Sequence, residues 1–215
     1  IGFNKNIIEF GSGTCQLSNY LAIGTNNDIY AFDSSFNSLR IGKNFSKKNN
    51  INNITFINGD IFDEIFHPKV FDFIICSGVL HHTKDPYGGF VNIVKNLKKE
   101  GYILVGLYNK IGRIRTKIRK YIYKILGKNM IMILDPVLRK TDKKSHDKIN
   151  AWIKDQYQHP VESTHTFDEI LKWFDSNNIE FINSIPQCSM FETENEDYFQ
   201  KKSKATFVVR IIKQI

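Results

Sequence analysis

The stretch Ile7-Ile8-Glu9-Phe10-Gly11-Ser12-Gly13-Thr14 reads as an apolar strand running into a glycine-rich turn. About twenty residues later a second apolar run, Ile29-Tyr30-Ala31-Phe32, ends in Asp33. Glycines that let backbone approach a ligand, followed by an acid after the next strand, describe a nucleotide-type pocket. The details narrow the choice. An acid, Glu9, stands just ahead of the turn. The third glycine of a dinucleotide fingerprint is missing, because Cys15 and Gln16 occupy its region. No Gly-Lys-Ser/Thr is present, which excludes a P-loop. An acid with G-x-G and no third glycine fits a ligand without a diphosphate.

Outward from this turn, apolar runs of strand length alternate with segments of helical period. That alternation predicts an α/β fold, a parallel sheet with helices on both faces. The expected strands are 6–10, 29–33, 54–58, 71–77 and 102–107, and the expected helices 14–22, 35–48 and 87–98. Pro86 after Asp85 marks a helix start, and Lys99-Glu100-Gly101 a helix stop before the fifth strand. The alternation then lapses over residues 109–163. It resumes where Thr166 caps a helix over Phe167 to Asn177, with Asp168 and Glu169 in its first turn. Two last strands are expected at about 179–185 and 205–212. The whole is read as one domain over residues 1–215, with 109–163 as an insertion.

Glu9-x-Gly11-x-Gly13 resembles the first motif of the class I S-adenosylmethionine (SAM) dependent methyltransferases. Further matches follow in order: Asp33, then Asn58-Gly59-Asp60-Ile61-Phe62, then Phe71-Asp72-Phe73-Ile74-Ile75-Cys76-Ser77-Gly78-Val79-Leu80-His81-His82. The resemblance covers residues 6–108 closely and the last forty loosely. It implies a doubly wound, mostly parallel seven-stranded sheet whose last two strands form an antiparallel edge hairpin. It also implies SAM as cofactor. By that resemblance Gly11 and Gly13 bring backbone against the methionyl part, and Glu9, beside Phe10, orients the loop or meets the amino group. Asp33, next to Ser34, accepts from the ribose hydroxyls. Asp60 accepts from the adenine amine and Ile61 packs on the ring, while Cys76 and Ser77 leave the fourth strand beneath the sulfonium. Relatives usually carry helices ahead of the first strand. This chain lacks an initiator Met and enters that strand at once, so it is read as a fragment without them.

The acceptor side is less constrained. An insertion after the fifth strand lies at the carboxyl ends of the sheet and is well placed to form an α-helical lid. His82 is a candidate base near neutral pH, although the reading favoured for the His81-His82 pair is that it shapes its loop. Tyr108 and Asn109, ending the fifth strand, are expected to face the acceptor, with Tyr108 packed under the lid as the other reading. Tyr157, His159, Glu162 and His165 fall in a polar stretch that is expected to close over it, with His159, Glu162 or His165 offering hydrogen bonds or a catalytic base. Pro160 breaks any helix that would align His159, Glu162 and His165, so no metal site is read there. The resulting expectation is methyl transfer to a small or medium-sized organic acceptor at O, N, C or S. The alternatives are an RNA methyltransferase and a non-catalytic SAM-binding partner subunit.

Bulk properties bound the remaining classes. The chain has 215 residues and a formal charge of +8, with 41% hydrophobic residues and no 18-residue apolar span. Cys15, Cys76 and Cys188 are odd in number and far apart, which argues for a reducing compartment, here the cytoplasm. Lys110 to Lys128 holds eight basic residues and no acid. Ile111, Ile114, Ile118, Ile122 and Ile125 recur there at helical spacing, so peripheral contact with an anionic membrane through 111–126 is one reading and a solvated lid helix another. Nucleic acid is not the expected partner, because Ser77-Gly78-Val79-Leu80 stands where a base-flipping Asn-Pro-Pro-Tyr would fall. The oligomeric state is left open.

Overall fold

The computed structural model describes residues 2–142, 145–158, 161–185 and 206–214. Seven strands form one sheet: β1 (Asn6–Phe10), β2 (Asp28–Asp33), β3 (Ile54–Asn58), β4 (Phe71–Ser77), β5 (Leu97–Tyr108), β6 (Ile179–Ile185) and β7 (Thr206–Gln214), in the order β3-β2-β1-β4-β5-β7-β6. The first five are parallel, while β7 runs antiparallel to both β5 and β6. The strand order reverses between β1 and β4, the position where a doubly wound sheet opens a crevice at its carboxyl edge.

Successive side chains on a strand point to opposite faces, and here both faces are dry. Ile7 packs with Ala22, Ile29 and Ile75 beneath α1 (Gln16–Ala22), and Ala31 and Leu39 continue that face under α2 (Phe36–Lys48). Ile8 belongs to the larger core on the other face, with Phe71, Ile74, Phe90 and Phe174. That core is closed by α3 (Pro86–Val94) and α7 (Phe167–Ser176). Each such fully buried side chain contributes about 1.5–3 kcal/mol. The helix starts follow their capping residues. Asp85 accepts from Gly88 N–H at 2.9 Å and Thr166 from Glu169 N–H at 3.2 Å.

One boundary differs from the sequence expectation. The helix after Pro86 ends at Val94, and β5 begins at Leu97. Lys98 to Gly101 therefore lies within a strand, at a register shift between the Phe71–Leu97 and Phe73–Tyr102 pairs. Leu97 is fully buried against the core, and the turn left-handed at Glu100 (φ 64°) absorbs the extra residues. Burial of Leu97 outweighs the helix-stop signal of Gly101.

Residues 109–163 form a helical insertion with a small core of its own. It comprises α4 (Ile114–Leu134), α5 (Pro136–Lys140) and α6 (His146–Tyr157). Gly127 interrupts α4 with φ 73° and ψ −167°. Ile131, Leu138, Ile149, Ile153 and Tyr157 cluster inside it. Asp135 caps α5 and also accepts from Trp152 Nε1 and Tyr157 Oη. Burial pushes its carboxyl up, but these donors outweigh burial and hold it below the ordinary carboxylate range. Among the described residues no helix is long and apolar enough to cross a membrane.

Candidate active site

The register of the parallel strands brings the sequence motifs to one edge. Phe10 pairs with Phe32 and Cys76, Asp33 with Asn58, and Ser77 with Gly106. The glycine turn, Asp33, the Asn58–Asp60 loop and Ser77 therefore all emerge at the carboxyl ends of β1 to β4.

Asp33 is the link among them. Its Oδ2 accepts from Gly13 N–H at 2.7 Å and its Oδ1 from Ser35 N–H at 2.7 Å. A carboxylate has about four acceptor positions, so both oxygens keep capacity for a diol. The Phe32 carbonyl accepts from Gly11 and Ser12 N–H at 2.8 and 3.0 Å, which fixes the turn against β2. Glu9 points into α1, where its Oε2 accepts from the Ser18 N–H at 3.0 Å and from the Ser18 hydroxyl. Burial pushes the Glu9 carboxyl above its ordinary value, opposed by the Ser18 bonds and reinforced by Asp33. Asp60 is exposed and accepts from Phe62 N–H at 3.0 Å, which orders its loop. Ser34 and Ser77 are exposed at the same edge.

Three cofactor-side residues named from sequence turn inward. Phe10, Ile61 and Cys76 belong to the main core. Cys76 is fully buried, and burial pushes its thiol up to about 12. Its side chain is a core group, and only its backbone lies at the edge.

The residues expected on the acceptor side form a second, adjoining assembly. The loop after β4 turns as a short 3-10 segment, Leu80–His82. The Tyr108 ring lies between two partners: His81 stacks on it at 3.7 Å between centroids, and the Arg113 guanidinium sits 3.9 Å from its centroid. Burial pushes the Tyr108 phenol up, and Arg113 opposes that shift. Arg113 is itself only 2% exposed. It donates to Glu162 Oε1 from Nε and Nη2 at 3.0 and 2.7 Å, and to Gln156 Oε1 at 2.6 Å. His82 donates through Nδ1 to the Val161 carbonyl at 3.1 Å.

His165 is buried and held at both nitrogens, by Ser163 Oγ at 2.8 Å and Glu169 Oε1 at 2.9 Å. Its backbone joins the end of β5, with His165 N–H donating to Tyr108 O at 2.9 Å and Lys110 N–H to His165 O at 2.9 Å. These bonds tie the segment that follows the insertion to the end of β5. Two expectations are corrected. Asn109 is 4% exposed and its side-chain Oδ1 accepts from Gly112 N–H at 2.7 Å, so it shapes a turn rather than facing an acceptor. Tyr157 donates its hydroxyl to Asp135 inside the insertion core. His159 lies outside the described residues. Arg113, which the sequence groups with a solvated basic face, is the residue missed: its partners Gln156 and Glu162 lie 43 and 49 residues away, and no local pattern announces them.

The chain belongs to the methyltransferase-domain family, whose model matches residues 2–178. An uncharacterized protein of Synechococcus sp. is 24% identical over 197 residues, 82% of this chain and 47% of that protein. In structure, PKMT2 from Rickettsia typhi, also solved in complex with AdoHcy, matches with a TM-score of 0.74 and 14% identity, over 98% of this chain and 49% of that one. A SAM-dependent methyltransferase from Methanosarcina mazei matches with a TM-score of 0.67 and 14% identity, over 100% of this chain and 94% of that one. The chain thus has the class I methyltransferase fold. It spans about half the length of the Synechococcus relative and of PKMT2.

Proposed function

We propose that this chain is a SAM-dependent methyltransferase acting on a small or medium-sized organic acceptor. The observation that carries the reading is Asp33, whose carboxylate joins the glycine turn to the end of β2 while retaining acceptor capacity. The surroundings fit the cofactor. A Cβ on Gly13 would meet nothing within 4 Å, so the turn faces open space. Asp60, Ser34 and Ser77 are exposed around that space.

Asp33 holds the ribose hydroxyls, Asp60 the adenine amine, and the Gly11–Gly13 backbone the methionyl part. Glu9 sets the turn through Ser18. SAM supplies a methyl group already activated on a sulfonium. The protein therefore has chiefly to align the acceptor and exclude water. The insertion serves as the lid that does so, with Arg113 locking Tyr108 and Glu162 together at its base. For a hydroxyl acceptor, His82 Nε2 takes the proton. His165 supports this side by fixing Ser163, whose N–H donates to the His81 carbonyl at 2.8 Å.

Calorimetric titration of the purified chain with SAM and S-adenosylhomocysteine tests the site. Binding of both is expected, with loss in Asp33→Ala; unchanged affinity in that variant would refute the assignment. An acceptor screen by mass spectrometry follows, with methyl transfer to a hydroxyl acceptor expected to fall in His82→Ala.

A further inference from the structure

The insertion packs through one face of α4 and leaves the other uncovered. Arg113 and Thr116 turn inward. Ile114, Ile118, Tyr121 and Ile125 point away and are 50, 56, 67 and 62% exposed. At 3.6 residues per turn these four fall within an arc of about 60°, over about 17 Å of helix. Lys117 and Lys124 border the arc on one side and Arg115 on the other, all exposed. No acid occurs from Ile111 to Leu134. The core of the insertion lies on the inner face, and among the described residues this outer apolar row belongs to no core cluster.

We propose that the first half of α4, Ile114 to Leu126, docks on an anionic lipid surface. The distribution of chemistry selects this occupant. An apolar centre flanked by cations on both sides matches the boundary between acyl chains and anionic headgroups, with isoleucines and Tyr121 dipping in and the basic residues held at the headgroup level. A nucleic-acid backbone would use the cations but leave the isoleucines in water. A second copy of this chain would bury the isoleucines but set two rows of cations against each other. The helix lies on the surface rather than crossing it.

The docking does not depend on the methyl-transfer reading, but it gives that reading a direction. Arg113 stacks on Tyr108 and Ile114 is the next residue. A docked α4 therefore sets the acceptor side of the site at the membrane, where amphiphilic acceptors concentrate.

Co-sedimentation of the purified chain with vesicles of phosphatidylcholine, with and without phosphatidylglycerol, tests this. Binding is expected only with the anionic lipid, falling as salt rises. The double variant Ile118→Asp/Ile125→Asp and the double variant Arg115→Gln/Lys124→Gln should each weaken it by about tenfold or more, with circular dichroism unchanged. In Tyr121→Trp a blue shift of the added fluorescence should appear on mixing. Three outcomes overturn the proposal: no binding to anionic vesicles at low salt, binding unaffected by the two aspartates, or salt-sensitive RNA binding lost only with the basic residues. Self-association abolished by the aspartates, without vesicle binding, would assign the row to a second copy instead.

Discussion

Gly11 and Gly13 share one turn and a left-handed backbone, with φ of 70° and 53°, yet they answer to different constraints. A Cβ at Gly11 would stand 2.0 Å from Val79 Cγ2, in the loop that leads to His82, while one at Gly13 would meet nothing within 4 Å. Alanine at either site bears the left-handed penalty, about 1–2 kcal/mol. Only Gly11→Ala adds overpacking, about 1–3 kcal/mol. The expected losses of unfolding free energy are about 2–5 kcal/mol for Gly11→Ala and about 1–2 kcal/mol for Gly13→Ala. Urea titrations followed by circular dichroism read both. Val79→Ala removes the clashing methyl, so the double variant Gly11→Ala/Val79→Ala should be more stable than the sum of its parts by about 1 kcal/mol or more. For cofactor affinity the order reverses. Gly13→Ala should stay folded but bind SAM about tenfold or more weakly by calorimetry, a loss of about 1.4 kcal/mol. Equal destabilisation by the two alanines, with an additive Gly11–Val79 cycle, would refute the contact between the turn and the β4 loop. Unchanged SAM affinity in Gly13→Ala would refute the placement of the cofactor.

Removing Arg113 takes two short hydrogen bonds from the buried Glu162, with side chains 3% and 7% exposed, and leaves it only the longer contact to Lys120 at 3.5 Å, so Arg113→Ala should cost about 3–5 kcal/mol of stability in urea unfolding; a loss below 1 kcal/mol would mean that Lys120 suffices as partner. Glu9 has a folded pKa raised by burial above its ordinary 4.5, so its contribution is fully present below that value and declines as pH rises through the folded pKa. Glu9→Gln keeps an acceptor for Ser18 and should remove this decline, giving a transition midpoint at pH 7.5 relative to pH 5 that exceeds the wild-type ratio; identical ratios would show that the charge is not the cost. Cys15 and Cys76 are buried thiols, both pushed up by burial, Cys76 to about 12. In Cys188→Ser a thiol reagent at pH 8 should find neither until denaturant is added, since both thiols are buried and burial disfavours the reactive thiolate.

The motifs at the carboxyl edge were legible because each residue type meets a backbone or acceptor requirement that its neighbours in sequence already signal. Gly13 and Asp33 are twenty residues apart, but the strand between them is short and its register is set by Ile29 and Phe32 facing opposite cores. The insertion was legible only as a change of pattern. Its apolar positions serve two surfaces at once: Ile122 packs against the inner cluster while Ile118 and Ile125 face outward. A single periodicity read from the sequence merges the two. Arg113 and Asp135 were illegible for a related reason. Each is a charged residue on a surface-like segment whose burial is decided by partners brought in by tertiary structure, Glu162 for one and Trp152 and Tyr157 for the other.

The backbone pairing of Tyr108 with His165 has an engineering consequence. The chain departs from the sheet at Tyr108–Asn109 and returns beside the same residues, through the 2.9 Å bonds on either side of His165. What lies between is a closed excursion, and closure cost rises only slowly with its length. The sheet is therefore indifferent to the size of that excursion so long as the two ends stay knotted together. A segment borrowed from another member of the family at these two residues would form a graft with both seams already hydrogen-bonded, and under the proposed function it would exchange acceptor preference as a cassette without touching the residues at the carboxyl ends of β1 to β4.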